Sequence, residues 1–163
     1  MATTSVLFVS RRNSLRSVLA HAYLSHIGGR RFVVESCGQP AQVPGAFHPV
    51  AIEVLQRAGI PLPASPPKTW GELWRNGAPR PDIVVTLDEG TMAGQPAWPA
   101  QPITALWAMD DAAGVSDVRV AKHMTTQMLF ALQRRLELLV NLPLHGNDRA
   151  AIHLDLRDLG RMS

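Results

Sequence analysis

One cysteine, Cys37, is all the thiol chemistry that this chain of 163 residues possesses. A lone thiol cannot build an internal disulfide framework, and it fits a reducing compartment. No apolar run approaches the length of a bilayer span. The start shows no charged region followed by a long apolar stretch, so neither a membrane span nor an export leader is expected, and a cytoplasmic protein is. Lys and Arg form no long run and are not interleaved with aromatic residues. The net charge of +3 and pI of about 9.7 therefore make a mildly basic protein without the footprint of a nucleic-acid binder. The six histidines, His21, His26, His48, His123, His145 and His153, lack metal-ligand spacing, and neither a metal nor a cofactor is expected. Repeats and low-complexity segments are missing as well.

What remains is enough chain to bury one core, and residues 1–163 read as a single domain. Its most informative stretch begins with the apolar run Val6-Leu7-Phe8-Val9 and continues Ser10-Arg11-Arg12-Asn13-Ser14-Leu15-Arg16-Ser17. A buried strand that runs into a short polar loop and opens a helix makes an anion cradle, because loop amides turn inward and the helix contributes its positive dipole end. Arg16 lies six residues after Ser10. Its guanidinium can close over a tetrahedral oxyanion with two parallel hydrogen bonds. The local excess of Arg11, Arg12, Arg16, Arg30 and Arg31 reads as attraction for a small anion.

Along the chain, Ser5–Val9 predicts a buried first strand. Residues 17–27 predict a helix with Val18, Leu19, Ala22, Tyr23 and Ile27 at helical spacing, capped by Ser14 or Ser17 and ended by Gly28-Gly29. Phe32-Val33-Val34 reads as a second strand. Pro49–Ala58 reads as a helix between an opening Pro and a closing Gly59, with Ile52 and Leu55 facing the core and His48 at its start. Pro61–Pro67 is a surface loop, and a short helical piece covers Trp70–Trp74. Ile83–Leu87 reads as a third strand, residues 88–102 as a loop, and Ile103–Met109 as a fourth strand. Asp117–Leu142 carries the longest helical pattern, with Val120, Met124, Met128, Leu132, Leu136 and Leu139 along one face. Asn147 is placed to cap a last helix over Asp148–Leu159. Strands alternating with helices imply an α/β fold, a parallel sheet covered by helices on both faces in three layers. Ligands in such sheets bind beyond the carboxyl ends of the strands, where Ser10 and the Asp110-Asp111 pair would lie together.

At residues 10–17 the chain resembles the low-molecular-weight tyrosine phosphatases and the related thioredoxin-coupled arsenate reductases. Those proteins carry Cys, five residues, Arg and Ser after their first strand. Asn13, Arg16 and Ser17 match the pattern, and Ser10 stands at the position of the nucleophilic Cys. Further segments resemble the reductase branch in order and spacing: His48-Pro49-Val50-Ala51-Ile52, Lys68-Thr69-Trp70, Pro81–Thr86, Trp98–Pro102 and Trp107–Gly114. The similarity covers nearly the whole chain and implies four parallel strands in the order 2-1-3-4. It departs in its thiols. The reductases use further cysteines in and beside the loop after the third strand, whereas residues 88–102 contain none. A thiol relay cannot be built from one cysteine, which excludes thioredoxin-coupled arsenate reduction by that mechanism.

The resemblance implies roles for individual residues. Ser10 takes the nucleophile's place, but a hydroxyl is a far weaker acid than a thiol and needs an adjacent general base. Asp111 matches the general acid, which protonates a leaving group and is not placed to activate Ser10; it is followed by Ala112 where the family has Pro, and a plain turn carboxylate is the competing reading. Phosphoryl transfer at Ser10 is therefore expected to be negligible. A neutral hydroxyl can still donate to a dianion that a thiolate repels, so phosphate, sulfate or arsenate is expected to bind at Arg11, Arg12, Asn13, Ser14, Leu15, Arg16 and Ser17. Asn13 either supports the loop in left-handed geometry or is an ordinary turn residue. Arg12 replaces a preferred Gly and either distorts the loop or reaches over its mouth. Arg11 reads as a solvated charge, Ser17 as a helix cap, and Asp88 and Glu89 as surface-loop residues rather than partners of arginine. Trp70 and Trp74 read as core before ligand cage, Trp98 and Trp107 as core before walls of the site, and Cys37 as a small buried residue.

Three functions stay open. The first is a binding module, a pseudoenzyme with an oxyanion pocket for a small oxyanion or phosphorylated ligand. The second is an active low-molecular-weight phosphatase, if Ser10 is an engineered Cys→Ser change. The third is an interaction protein whose loop binds nothing. Neither nucleic acid nor membrane is expected as a partner, and the sequence is silent on oligomeric state.

Overall fold

Four strands lie side by side in one parallel sheet, in the order β2-β1-β3-β4. They are β1 (Thr4–Val9), β2 (Phe32–Cys37), β3 (Ile83–Thr86) and β4 (Ile103–Leu106). These come from a computed structural model, which describes residues 3–146 and 148–162. The strand order is the one that the resemblance implies. In register, Val6 pairs with Val34 on one side and Ile83 on the other, and Val84 pairs with Thr104.

Side chains alternate across the sheet, as period-two geometry requires. Val6, Phe8, Ile83 and Val85 enter the larger core, while Leu7, Val9 and Val84 enter a smaller one on the opposite face. Helices α1 (Arg16–Gly28), α2 (Pro49–Arg57), α5 (Val118–Leu139) and α6 (Arg149–Gly160) cover the first face. Val18, Leu19, Leu55, Leu132, Leu136 and Leu156 pack there, and each such side chain contributes roughly 1.5–3 kcal/mol when fully buried. The second face is covered by the short α3 (Trp70–Arg75) and by Trp98. The Trp98 ring meets Trp70 edge-on at 6.4 Å and Trp74 at 5.7 Å between centroids. Trp107 is fully buried and donates from Nε1 to the carbonyl of Leu156 at 2.9 Å. All four tryptophans thus serve the core.

Several boundaries differ from the expectations. β2 extends past Val34 to Cys37, because its continued pairing with β1 outweighs the polar Glu35 and Ser36. β3 and β4 each stop at their last laddered residue, Thr86 and Leu106, short of Leu87 and Met109. In α2 the buried residues are Val50, Ala51, Val54 and Leu55, and Ile52 is only half-buried. Val120 points to solvent at the start of α5. Residues 88–102 are not wholly loop, since Glu89–Met92 forms one helical turn, α4, which Asp88 caps by accepting from the amide of Thr91. The cap of α6 is Asp148, which accepts from the amide of Ala151; Asn147, assigned that role from sequence, lies outside the described residues. Among the described residues no helix is long and apolar enough to cross a membrane.

Candidate functional site

All four strands deliver a loop at the same end of the sheet. Adjacent ends are tied by backbone bonds: Ser10 N–H donates to Cys37 O (3.3 Å), Leu87 N–H to Val9 O (2.9 Å), and Trp107 N–H to Thr86 O (2.8 Å). The segment 10–15 after β1 turns sharply at Asn13, whose φ of 50° is left-handed, a geometry that Asn tolerates better than most residues. The Asn13 side chain holds the turn from both sides. Its Oδ1 accepts from the amide of Lys68 at 3.0 Å and its Nδ2 donates to Ser17 Oγ at 2.9 Å. Arg12 is not among the residues of positive φ, so the loop closes there without a glycine.

Amides are the main resource of this loop. Asn13, Ser14 and Leu15 are buried. Among the described residues, the N–H groups of Arg12, Asn13, Ser14 and Leu15 have no protein acceptor. They sit at the N-terminus of α1, whose opening amides are also unpaired within the helix, and the helix dipole favours a negative charge there. Buried donors of this kind call for an acceptor.

Ser10 is buried at the base of the loop, and its hydroxyl is bonded to Ser17 Oγ at 2.7 Å. Ser17 does not cap α1, and neither does Ser14. The helix begins at Arg16, its cap position is Leu15, and no side-chain cap bond is formed. Ser17 falls inside the first turn, fully buried, where its oxygen serves Ser10 and Asn13 instead. Ser14 contributes its carbonyl, which accepts from the amide of His48 at 2.9 Å and so ties the start of α2 to the loop. His48 opens α2 with its ring Nδ1 accepting from Val50 N–H.

Arg16 is buried beside this cradle. Its Nη1 donates to the carbonyl of Met109 at 3.2 Å, and its Nη2 lies 3.3 Å from Asp88 Oδ2 and 3.9 Å from Asp111 Oδ2. A guanidinium has five N–H donors, so Arg16 retains donors for a further acceptor. Asp111 has two tasks. Its Oδ1 accepts from the amide of Ala113 and caps a 3₁₀ turn over Ala112–Gly114, while its Oδ2 faces Arg16 and lies 3.5 Å from Arg12 Nη1. Arg12 thus reaches across the mouth. Asp110 is exposed.

Asp88 corrects the surface-loop reading. Its Oδ2 accepts from the amide of Arg11 at 2.9 Å as well as pairing with Arg16, and its Oδ1 accepts from the amide of Thr91 at 2.8 Å and from the Thr91 hydroxyl. Glu89 is exposed. Arg11 is exposed too, yet it lines the mouth together with Arg16, Gln39, Gln42, Asp88 and Asp111. Around the opening three guanidinium groups meet two carboxylates, leaving a positive excess suited to an anion.

Gly38 carries no motif in the sequence, yet the loop depends on it. A Cβ there would lie 3.0 Å from Arg12 C and from Asn13 N, so only a glycine lets the segment after β2 pack against the backbone of the loop. Gln39 N–H then donates to Arg11 O at 3.0 Å. Behind the loop lies a buried polar group. His21 shares a 2.7 Å hydrogen bond with Ser36, and Lys68 Nζ lies 3.7 Å from Glu35 Oε2. Burial, helped by Lys68, lowers His21 to about 4. Burial also pushes the Cys37 thiol well up, Lys68 pulling it only part of the way back.

Known proteins match this architecture. The family described as low molecular weight phosphotyrosine protein phosphatase matches residues 5–102. A glutaredoxin arsenate reductase of Synechocystis sp. is 30% identical over 111 residues, which are 68% of this chain and 80% of that protein. A solved structure of an arsenate reductase in the phosphate binding state superposes with a TM-score of 0.65 at 24% identity, covering 85% of this chain and 97% of the other. A tyrosine phosphatase of Erwinia amylovora gives a TM-score of 0.65 at 14% identity, over 86% and 95% of the two chains.

Proposed function

The chain belongs to the low molecular weight phosphotyrosine protein phosphatase family, and from that membership we propose that it binds a small tetrahedral oxyanion, phosphate, sulfate or arsenate, without turning it over. One observation carries the reading. Among the described residues, the loop 10–17 presents buried amides without protein acceptors at a helix N-terminus beside Arg16, above a serine whose hydroxyl meets only another hydroxyl.

Binding follows from the donors. An oxyanion in the loop would accept from the amides of residues 12–15 and from the free N–H groups of Arg16, and charge-assisted bonds of this kind are about twice as strong as neutral ones. The Ser10–Ser17 bond joins two hydroxyls that rotate, so it can run in either direction. With Asn13 donating to Ser17 and Ser17 to Ser10, the Ser10 proton is left to point at the anion. A structural neighbour solved in its phosphate binding state shares the fold that positions such a loop.

Turnover needs more than this. If the family's nucleophile is a cysteine thiolate, Ser10 supplies an oxygen nucleophile that must lose its proton to a nearby base. Among the described residues, the hydrogen-bond partner of the Ser10 hydroxyl is Ser17, which is no base. Asp111 faces Arg12 and Arg16 across the mouth, where a carboxylic acid could protonate a leaving group. The reductase activity named for the Synechocystis relative does not carry over by a thiol relay, because Cys37 stands alone, fully buried and protonated.

Calorimetric titration with inorganic phosphate tests binding. The parent should bind with a dissociation constant of about 1 mM or tighter, and Arg16→Ala should abolish the signal. Unchanged heat in Arg16→Ala, or none in the parent, overturns the proposal. Inactivity is tested by assaying the parent and Ser10→Cys side by side on an aryl phosphate whose leaving group needs little protonation. Turnover in Ser10→Cys alone shows a site that lacks only its nucleophile. Turnover in the parent defeats the account of Ser10.

A further inference from the structure

The mouth of the loop is larger than a bare tetrahedral anion needs, and its wall has a definite chemistry. It encloses about 440 Å³, within the range of pockets that hold a whole small molecule. Beyond the two arginines, Arg11 and Arg16, and the carboxylates of Asp88 and Asp111, the wall is made by Gln39, Gln42, Gly90 and Thr91. Among the described residues, none of its lining side chains is aromatic or aliphatic.

The nine aromatic residues of the chain are accounted for elsewhere. Trp70, Trp74 and Trp98 pack on one another over the second face of the sheet. Phe8 and Trp107 are fully buried in the main core, and Phe47 and Phe32 pack against it. Tyr23 donates its hydroxyl to Glu137 at 2.6 Å. Phe130 is exposed on α5, beside a separate groove formed with α2. A methionine-lined groove formed by Met109, Met124 and Met128 adjoins Arg16 through the Met109 carbonyl, but its side chains do not line the mouth.

We propose, resting on the oxyanion reading of the same loop, that the site takes a phosphate monoester of a hydroxylated aliphatic alcohol and discriminates against aryl phosphates, with Gln39 and Gln42 reading the alcohol. An aryl ring laid against two amides and two carboxylates would strip them of water and return no hydrogen bond, which is unfavourable. A hydroxylated alcohol can replace those lost bonds with the Gln39 and Gln42 amides, each of which carries both a donor and an acceptor. Gly38 is what makes this wall possible, since the close approach it permits brings Gln39 N–H onto Arg11 O and fixes the wall to the anion loop.

The test is a calorimetric comparison of three probes on the intact protein: inorganic phosphate, glycerol 3-phosphate and phenyl phosphate. Glycerol 3-phosphate should bind about tenfold tighter than phenyl phosphate, and tighter than inorganic phosphate. Gln39→Leu and Gln42→Leu should each shrink the preference for glycerol 3-phosphate over phenyl phosphate. Phenyl phosphate binding as tightly as glycerol 3-phosphate, with inorganic phosphate still bound, overturns the assignment of the alcohol and leaves the oxyanion reading standing. An unchanged preference in both leucine variants overturns the role of the glutamines. If inorganic phosphate itself fails to bind, the oxyanion reading fails and this assignment with it.

Discussion

Asp88 holds Arg16. Its carboxylate lies 3.3 Å from the guanidinium and at the same time accepts the first amide of the anion loop, Arg11 N–H, at 2.9 Å. The chain thereby places an anion of its own on two groups that an incoming oxyanion would use or neighbour. Its charge opposes a phosphate, while its hydrogen bonds keep the loop and Arg16 in place.

Those two effects separate by substitution. Asp88→Asn retains an oxygen to accept from Arg11 or Thr91 and removes the charge, so phosphate should bind about tenfold more tightly, as removal of one neighbouring like charge allows. Asp88→Ala removes the acceptor as well. It leaves Arg11 N–H and Thr91 N–H without their partner and strips the cap from α4, which should destabilise the fold by about 1 kcal/mol. Calorimetry and urea unfolding on the two variants check both statements. Weaker phosphate binding in Asp88→Asn would mean that orientation of Arg16 dominates over charge.

His21 gives the fold a pH dependence. Its proton affinity is lowered to about 4 by burial first and by Lys68 second, from 6.5 for the free group. The unfolded chain therefore binds more protons between those values, so stability is full above pH 6.5 and is lost as the pH falls toward 4. The loss from this group reaches about 3 kcal/mol. His21→Gln can still hydrogen-bond Ser36 but does not titrate. Urea unfolding at pH 7.5, 5.5 and 4.5 should show a steeper decline for the parent than for His21→Gln, and parallel declines would refute the assignment.

Much of this molecule is legible in its residues, and the rest is hidden for physical reasons. The run Val6–Val9, the left-handed Asn13 and the gap from Ser10 to Arg16 are local patterns, and the structure contains each of them. The sheet order followed from resemblance rather than from any local signal. Asp88 reads from sequence as a surface-loop residue because its partners are not local. It stands 77 residues from the amide that it accepts, and in sequence it is only an acidic residue heading a Gly- and Pro-rich stretch. Ser17 misled in the opposite way. Its cap propensity is real, but the helix starts at Arg16 and tertiary bonds from Ser10 and Asn13 claim its oxygen. Gln39 and Gln42 carry no motif, and only the close approach at Gly38 brings them to the mouth.

Cys37 should behave as an inert core residue. It is fully buried, and burial holds its thiol well above the ordinary range, while reactivity belongs to the thiolate. Alkylation by iodoacetamide at pH 8 should be at least about 100-fold slower for the folded protein than for the protein in denaturant. Comparable rates in the two states would show that the segment after β2 opens freely, and the packing of Gln39 against the anion loop would then be lost with it.

Gly38→Ala links the wall to the loop. The new methyl would lie 2.7 Å from a Val43 methyl, which can rotate away, and 3.0 Å from the backbone of Arg12 and Asn13, which cannot move without displacing the amides assigned to the anion. Overpacking of this kind destabilises by about 1–3 kcal/mol. Gly45→Ala is the matched control, because a Cβ there meets nothing within 4 Å, and it should leave stability and phosphate affinity as they are in the parent. If the amides of residues 12 and 13 hold the anion, Gly38→Ala must weaken phosphate binding as well as stability. A variant that loses stability yet binds phosphate as tightly as the parent would move the anion off those amides and onto Arg16 alone.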